Sequence, residues 1–264
     1  MCISQSVGTN AVNGQSDVRT IQYLLNFNIK RLPPLAPLKT DGCIGAATIQ
    51  AIKQFQKTVA GQTNPSGRID PADSILKELR RALPAVISAP VLQALMPDAT
   101  SDAITRYFHA LMEGLTANQI NTPLRQAHFI AQVGHESCDL RYSEEIASGT
   151  AYEARKDLGN TAAGDGPRFK GRGLIQITGR ANYNAYGKHK GRDFLTPPNY
   201  DLIASDPELA VDVACWFWTE HGLNALADAD DIRAVTKVIN GGYNGLADRQ
   251  ARLARAKCFL ILPG

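Results

Sequence analysis

Two glutamates nine residues apart, Glu136 and Glu145, carry the chain's clearest chemical potential. Cleaving a glycosidic bond needs one carboxylic acid to protonate the leaving oxygen and one carboxylate on the opposite face of the sugar. Glu136 closes an apolar helical stretch, so an apolar surround at Ile130 and Val133 suits it to the acid's role. On an unbroken helix nine residues make roughly two and a half turns, which would point Glu145 the opposite way. The chain must therefore turn between them, and Ser137-Cys138-Asp139 is the place for it. With that turn the two carboxylates can face each other across a cleft. Glu144 stands beside Glu145 as an alternative base, and spacing alone leaves open a simpler reading, a pair of solvated glutamates at a helix end.

The elements that must position these residues are mostly helical. Thr122 and Pro123 form an N-cap and first-turn pair that opens a helix running to about Glu136. A helix over 102–114 presents Ile104, Tyr107, Phe108 and Leu111 on one face. Residues 143–180 are rich in glycine and polar side chains and are expected to form loops with a short hairpin. Asp206-Pro207 opens another helix, bearing Val211, Ala214, Cys215 and Trp218 until Gly222 stops it. Asp231 caps one more through Asn240, with Gly241-Gly242 at its end. Trp216 and Trp218 fit the core better than a sugar platform, because their helix is apolar on most sides.

Upstream, Ser16 can cap a helix with the buried stripe Val18, Ile21, Leu24 and Leu25. A Pro-rich loop over 32–38 and a tight turn at Asp41-Gly42 and Gly45 lead into a helix over 47–59 that buries Ile49, Ile52, Phe55 and Val59. A third helix over 71–83 turns Ile75, Leu76 and Leu79 inward. The run Leu83 to Pro90, punctuated by Pro84 and Pro90, marks the boundary between a domain at 1–85 and one at 91–264. The fold class expected is mainly α: a three-helix unit followed by an α+β domain, mostly helical with a small β hairpin.

Several ordered blocks in the second domain carry a resemblance. They are Gly134-His135-Glu136-Ser137, Glu144-Glu145-Ile146, the run from Gly171 through Gln176, Thr178 and Asn182 to Tyr183, Trp216-Phe217-Trp218, and Ile239-Asn240-Gly241-Gly242. Together they resemble the family 19 glycoside hydrolases, chitinase-like enzymes with a lysozyme-like fold that include many phage endolysins. The likeness covers about residues 92–260. It implies an inverting mechanism on β-1,4-linked N-acetyl sugars, with Glu136 as general acid, Glu145 as the base that activates water, and Thr178 as the hydroxyl that helps hold that water. It further implies Gln176, Asn182 and Asn240 as amides that bind sugar substituents, Arg249 as a basic residue near the catalytic glutamate, and His135 in the cleft beside the acid. Taken singly, the three amides are equally well read as loop and cap hydrogen-bonding groups. Plant-type members separate the two glutamates by a much longer insert, so the short connection here is similar to the phage branch and favours peptidoglycan over chitin.

The first domain resembles the common three-helix peptidoglycan-binding domain, through Asp17-Val18, Ile21-Gln22, Leu24-Leu25-Asn26, the run Asp41 to Thr48, and Phe55-Gln56. Most of these residues are scaffold. The implied role is a tether, which raises the local concentration of the catalytic domain at the wall.

Composition limits the alternatives. Lys and Arg number 28 against 25 Asp and Glu, and the resulting net charge of +3 is too mild for a nucleic-acid footprint. No run of about 18 apolar residues is present to span a membrane, and the first ten residues carry no secretory pattern. Synthesis in the host cytoplasm, action on peptidoglycan in the periplasm after release, and a monomer are expected. Cys2, Cys43, Cys138, Cys215 and Cys258 are odd in number and widely spaced, which points to buried free thiols rather than a disulfide framework or zinc site. The stretch Gly166 to Gly173 resembles a phosphate loop but has Arg where Lys belongs, and His135-Glu136 lacks the second His of a zinc protease motif. No metal and no cofactor are expected. The reading is a wall-lysing glycosidase that cuts between N-acetylmuramic acid and N-acetylglucosamine, an endolysin or a secreted antibacterial effector. A chitinase of the same fold and a non-catalytic wall-binding protein are the alternatives.

Overall fold

The structure is a computed structural model and describes residues 2–262. It is mainly helical and divides into two compact units.

The first unit holds helices α1 (Gln15–Phe27), α2 (Ala46–Thr58), α3 (Ser74–Arg80) and α4 (Ala89–Leu95). Val18, Ile21, Leu24 and Leu25 of α1 are fully buried, as their spacing requires, and meet a core built from Ile52, Phe55 and Leu79 of α2 and α3. Strands β1 (Val7–Gly8) and β2 (Arg68–Ile69) pair antiparallel at its edge. Gln22 holds the glycine turn: its Oε1 accepts from Gly42 N–H at 2.9 Å, and its Nε2 donates to Asp41 Oδ1 and the Cys43 carbonyl. Gly42 sits at φ +75°, and a Cβ there would meet Gln15 at 2.6 Å, so only glycine fits.

Five sequence expectations are corrected here. Ser16 does not cap α1, which begins one residue earlier behind Gly14. Asp17 instead turns back to accept from Ser4 N–H, Ser4 Oγ and Gln5 N–H. The third helix is shorter than 71–83, because Asp73 caps it by accepting from Ile75 N–H at 2.9 Å. The proposed linker ends in α4, and the units divide between Leu95 and Met96. Finally, the segment from Ala254 onward belongs to the first unit. Phe259 there packs edge-on to Tyr23, Arg80 donates to the Cys258 and Ile261 carbonyls, and Cys258 forms a disulfide with Cys2. The free-thiol expectation therefore fails for that pair. Of the remaining cysteines, Cys215 is buried while Cys43 and Cys138 are exposed.

The second unit contains α5 (Ser101–Ala117), α6 (Pro123–Glu136), α7 (Asp165–Arg168), α8 (Arg180–Lys190), α9 (Leu202–Ser205), α10 (Pro207–Glu220), α11 (Leu223–Asp228), α12 (Ile232–Asn240) and the first half of α13 (Leu246–Leu260). Three of the expected caps are in place. Thr122 Oγ1 accepts from Arg125 N–H, Asp206 from Glu208 and Leu209, and Asp231 from Ala234, with Gly241 left-handed at the end of α12. α10 lies along α5, where a Cβ on Gly114 would come within 2.9 Å of Cys215 Sγ. Trp216 and Trp218 are buried in the core, as their helix predicts. The β element of this unit amounts to isolated antiparallel bridges, Glu144 with Arg172 and Arg172 with Ile177. Glycines at 171 and 173 and the left-handed Gln176 keep the chain from extending them into strands.

Candidate active site

Glu136 is the last residue of α6, and the chain reverses immediately after it. Cys138, Asp139 and Leu140 all take left-handed backbone conformations, with φ of 49°, 58° and 63°. Such a run costs roughly 1–2 kcal/mol per residue, so the surroundings must impose it. Ser137 Oγ donates to the Val133 carbonyl and accepts from Leu140 N–H, while the buried Asp139 accepts from Asp98 N–H and from Arg252. This is the turn that spacing required at 137–139, and it returns the chain toward Glu144 and Glu145.

Glu144 and Glu145 lie in extended chain beside residues 171–173, joined by Glu145 N–H to the Gly171 carbonyl and Gly173 N–H to the Ser143 carbonyl, both at or below 2.9 Å. Side chains alternate along such a segment, so adjacent glutamates leave on opposite sides. Glu144 goes to the buried Arg172, 3.0 Å away, and to Lys170 at 3.4 Å. Glu145 enters the cleft. Its Oε1 accepts from Tyr152 Oη at 3.0 Å and its Oε2 from Gly171 N–H at 3.1 Å. Burial and the neighbouring Glu145 both push the Tyr152 hydroxyl above its ordinary range, which keeps it a donor.

The cleft has a volume of about 500 Å3. Glu136, Glu145, Thr178, Gln176, Asn182 and Asn240 all line it, so six residues named from the sequence come together. Gln176 is held left-handed at φ 59° and its amide donates to the Gly173 carbonyl. Thr178 Oγ1 donates to the Gln176 carbonyl, Asn182 to the Thr178 carbonyl, and Asn240 Oδ1 accepts from Asn244 N–H. A Cβ at Gly171 would lie 2.9 Å from Gln176 Oε1 and 3.3 Å from Glu145 Oε2. That glycine keeps the floor between the Glu145 carboxylate and the Gln176 amide open.

Two expectations are corrected. His135 does not line the cleft: its ring sits against Gly245, and its Nδ1 lies 2.7 Å from Asp248. One residue before Glu136 on a helix, it necessarily faces about 100° away. Arg249 stands beside Glu136, as the resemblance implied, and does not itself line the cleft. It is 1% exposed and spends its guanidinium behind the cleft on Glu136 and Gln132. The Glu136 carboxyl consequently lies against a guanidinium, not in the apolar surround that Ile130 and Val133 suggested.

Sequence reasoning missed Tyr152, Arg155, Leu158, Ile175, Phe217 and Ile239, which also line the cleft. Phe217 had a signal, being the middle of the Trp-Phe-Trp block, where the helical turn sends it to a different face from its neighbours. Tyr152 and Arg155 had none, because they sit in a loop without periodicity. That loop is tied down by Glu153, which accepts from Gly164 and Gly166 N–H, and by the fully buried Asp165, which accepts from Arg180, Thr161 and Ala162.

Known proteins share this family and fold. The chitinase class I family profile matches residues 114–255. A glycosyl hydrolase family 19 domain-containing protein of Haemophilus influenzae is 34% identical, over 50% of this chain and 78% of that protein. An endochitinase of Arabidopsis thaliana is 40% identical over 44% of this chain, and the match spans only 38% of the plant protein. In structure, the class IV chitinase of Zea mays superposes with a TM-score of 0.54 at 24% identity, covering 67% of this chain and 94% of that one. With that fold, that profile and two glutamates on one cleft, the chain belongs to glycoside hydrolase family 19.

Proposed function

We propose that this glycoside hydrolase cuts the β-1,4 bond between N-acetylmuramic acid and N-acetylglucosamine in bacterial peptidoglycan, with inversion, as a wall-lysing enzyme of the endolysin type. The observation that carries the reading is the convergence of Glu136 and Glu145 on one open cleft after a connection of only nine residues. In this mechanism Glu136 gives its proton to the leaving oxygen as the bond breaks. Glu145 takes a proton from a water that attacks the anomeric carbon from the opposite face. Thr178 helps hold that water, and Tyr152 and Gly171 fix the carboxylate that activates it. Arg249, already against Glu136, stabilises the carboxylate left there when the proton departs. Gln176, Asn182 and Asn240 bind acetamido and hydroxyl groups.

In the same reading the first unit tethers the enzyme to the wall, and the enzyme acts in the periplasm after release from the cytoplasm. A groove of about 420 Å3 in that unit, walled by Leu35, Pro37, Leu38, Ile44 and Ala47 and also lined by Gln22 and Asp41, supports the tether. Because the segment from Ala254 completes this unit, the tether is tested on the full chain. An inactive Glu136→Gln protein is expected to co-sediment with purified sacculi, and its staying in solution would remove the tether.

A chitinase is the second reading, favoured by the likeness to a plant endochitinase. Mass spectrometry of digests separates the two. Fragments ending in reducing N-acetylmuramic acid from sacculi support the first. Turnover of chitohexaose with intact sacculi left uncut establishes the second.

A further inference from the structure

Among the described residues that line the cleft, Arg155 is the single cation, set against the carboxylates of Glu136 and Glu145. Its side chain is 49% exposed, yet it is not loose. Nε donates to Asp157 Oδ1 at 2.7 Å and Nη2 to Asp157 Oδ2 at 2.5 Å. This bidentate pair occupies one edge of the guanidinium and leaves the Nη1 edge for a second acceptor. The backbone beneath is also held: Arg155 N–H donates to the Tyr152 carbonyl, and the Arg155 carbonyl accepts from Leu158 and Asn160 N–H. The same turn therefore carries the tyrosine that orients Glu145 and the arginine at the cleft wall.

A cation in this place has no counterpart on a neutral N-acetylglucosamine polymer. A peptidoglycan strand differs, because it brings carboxylates, on its lactyl ether or its stem peptide, into a cleft that already holds two. Without a cation, those charges would meet only repulsion. A fixed guanidinium edge matches a carboxylate in shape as well as charge.

We propose that Arg155 is a specificity-determining residue that binds a carboxylate of the peptidoglycan strand and sets the preference of this cleft for an anionic over a neutral glycan. The inference rests on the peptidoglycan reading above. Arg155→Gln, Arg155→Lys and Asp157→Asn are compared with the parent enzyme on three substrates: intact sacculi, glycan strands stripped of peptide, and chitohexaose. Arg155→Gln is expected to lose about tenfold more kcat/KM on the anionic glycan than on chitohexaose, the scale of one charge-assisted contact. Arg155→Lys is expected to fall between, keeping charge but not the fork. A selective loss on stripped strands identifies the lactyl carboxylate, and one confined to intact sacculi identifies the stem peptide. Asp157→Asn breaks the same ion pair and leaves the guanidinium charged but less firmly held, so it is expected to keep more of the preference than Arg155→Gln. Equal losses of Arg155→Gln on all substrates, or an Asp157→Asn protein that reproduces its selective loss, would overturn the proposal in favour of a loop-holding role. A parent enzyme that cleaves only chitohexaose would overturn the peptidoglycan reading itself, before any variant is compared.

Discussion

The guanidinium of Arg249 bridges Gln132 and Glu136, two side chains one turn apart on α6, with Nη1 donating to Gln132 Oε1 and Nη2 to Glu136 Oε1. Arg249 is buried, and the Glu136 side chain is 17% exposed. Glu136 is thus anchored from behind by a residue on α13, across a sequence distance of more than a hundred positions.

Replacing Arg249 by methionine keeps the volume and strands the charge. Removing one partner of a largely buried pair costs about 3 kcal/mol, and the freed carboxylate is no longer fixed against the cleft. Arg249→Met is expected to lower the unfolding free energy by that order and turnover by about a hundredfold. Arg249→Lys, with charge but a single point of attachment, should recover part of the stability and little of the turnover. Denaturant titration with kcat on the same preparations checks both. Near-parental turnover in the methionine variant would detach Arg249 from the chemistry.

The alternation of Glu144 and Glu145 gives a sharper test, since the two carboxylates are adjacent in sequence and opposite in direction. Glu145→Gln is expected to reduce kcat by about 100- to 10,000-fold, the range for losing a general base. Glu144→Gln gives up an ion pair to Arg172, whose guanidinium keeps its bonds to Asp201, Tyr183 and the Arg168 carbonyl. Its kcat should stay within about threefold of the parent, and its cost should be in stability at the modest level of a part-exposed pair. A collapse of turnover in Glu144→Gln with survival of Glu145→Gln would exchange the roles.

How far this site could be read from the sequence depends on the range of the interactions involved. Thr122-Pro123, Asp206-Pro207 and Asp231 with Gly241 act on their own helix ends, so a local pattern suffices to place them. The turn after Glu136 was legible by exclusion, because an unbroken helix could not serve both glutamates. The choice between Glu144 and Glu145 was not, because it depends on register against Arg172, 28 residues later in the chain. Tyr152 and Arg155 depend on a loop that owes its shape to the buried Asp165 and to Glu153, not to any repeat in its own residues. Cys2 and Cys258 lie 256 positions apart, and no spacing rule joins cysteines at that range. The family motifs, by contrast, pointed to six residues that line one cleft while misplacing His135, whose helical position alone would have turned it away.

Asp165 predicts a pH dependence. The Arg180 hydrogen bond, with help from Ala162 and Thr161 N–H, outweighs burial and brings its carboxyl down from 3.8 to about 2. A group whose folded pKa is lowered contributes stability that is complete above the unfolded value and is lost as pH falls through the folded one. The difference in unfolding free energy between the parent and Asp165→Asn should therefore be constant above about pH 5 and shrink between about pH 4 and pH 2. Denaturant midpoints of both proteins across that window check it. A difference that stays flat to pH 2 would mean that the Asp165 charge does not hold the loop.

The disulfide makes a prediction for the first unit, because it closes the chain from Cys2 onto the segment that starts at Ala254. Tyr23, Phe27 and Arg80 already bind that segment through Phe259 and two carbonyls, so the covalent link acts on an assembled surface. Its main effect is to restrict the unfolded chain, worth about 2–4 kcal/mol for a closed loop. Cys2→Ser, or reduction of the parent, should lower the stability of the first unit by that amount, and the effects of substitution and reductant should not add. Cys43→Ser and Cys138→Ser serve as controls, since both thiols are free and exposed. Equal sensitivity of the Cys2→Ser protein and its parent to reductant would show that the Cys2–Cys258 link contributes nothing.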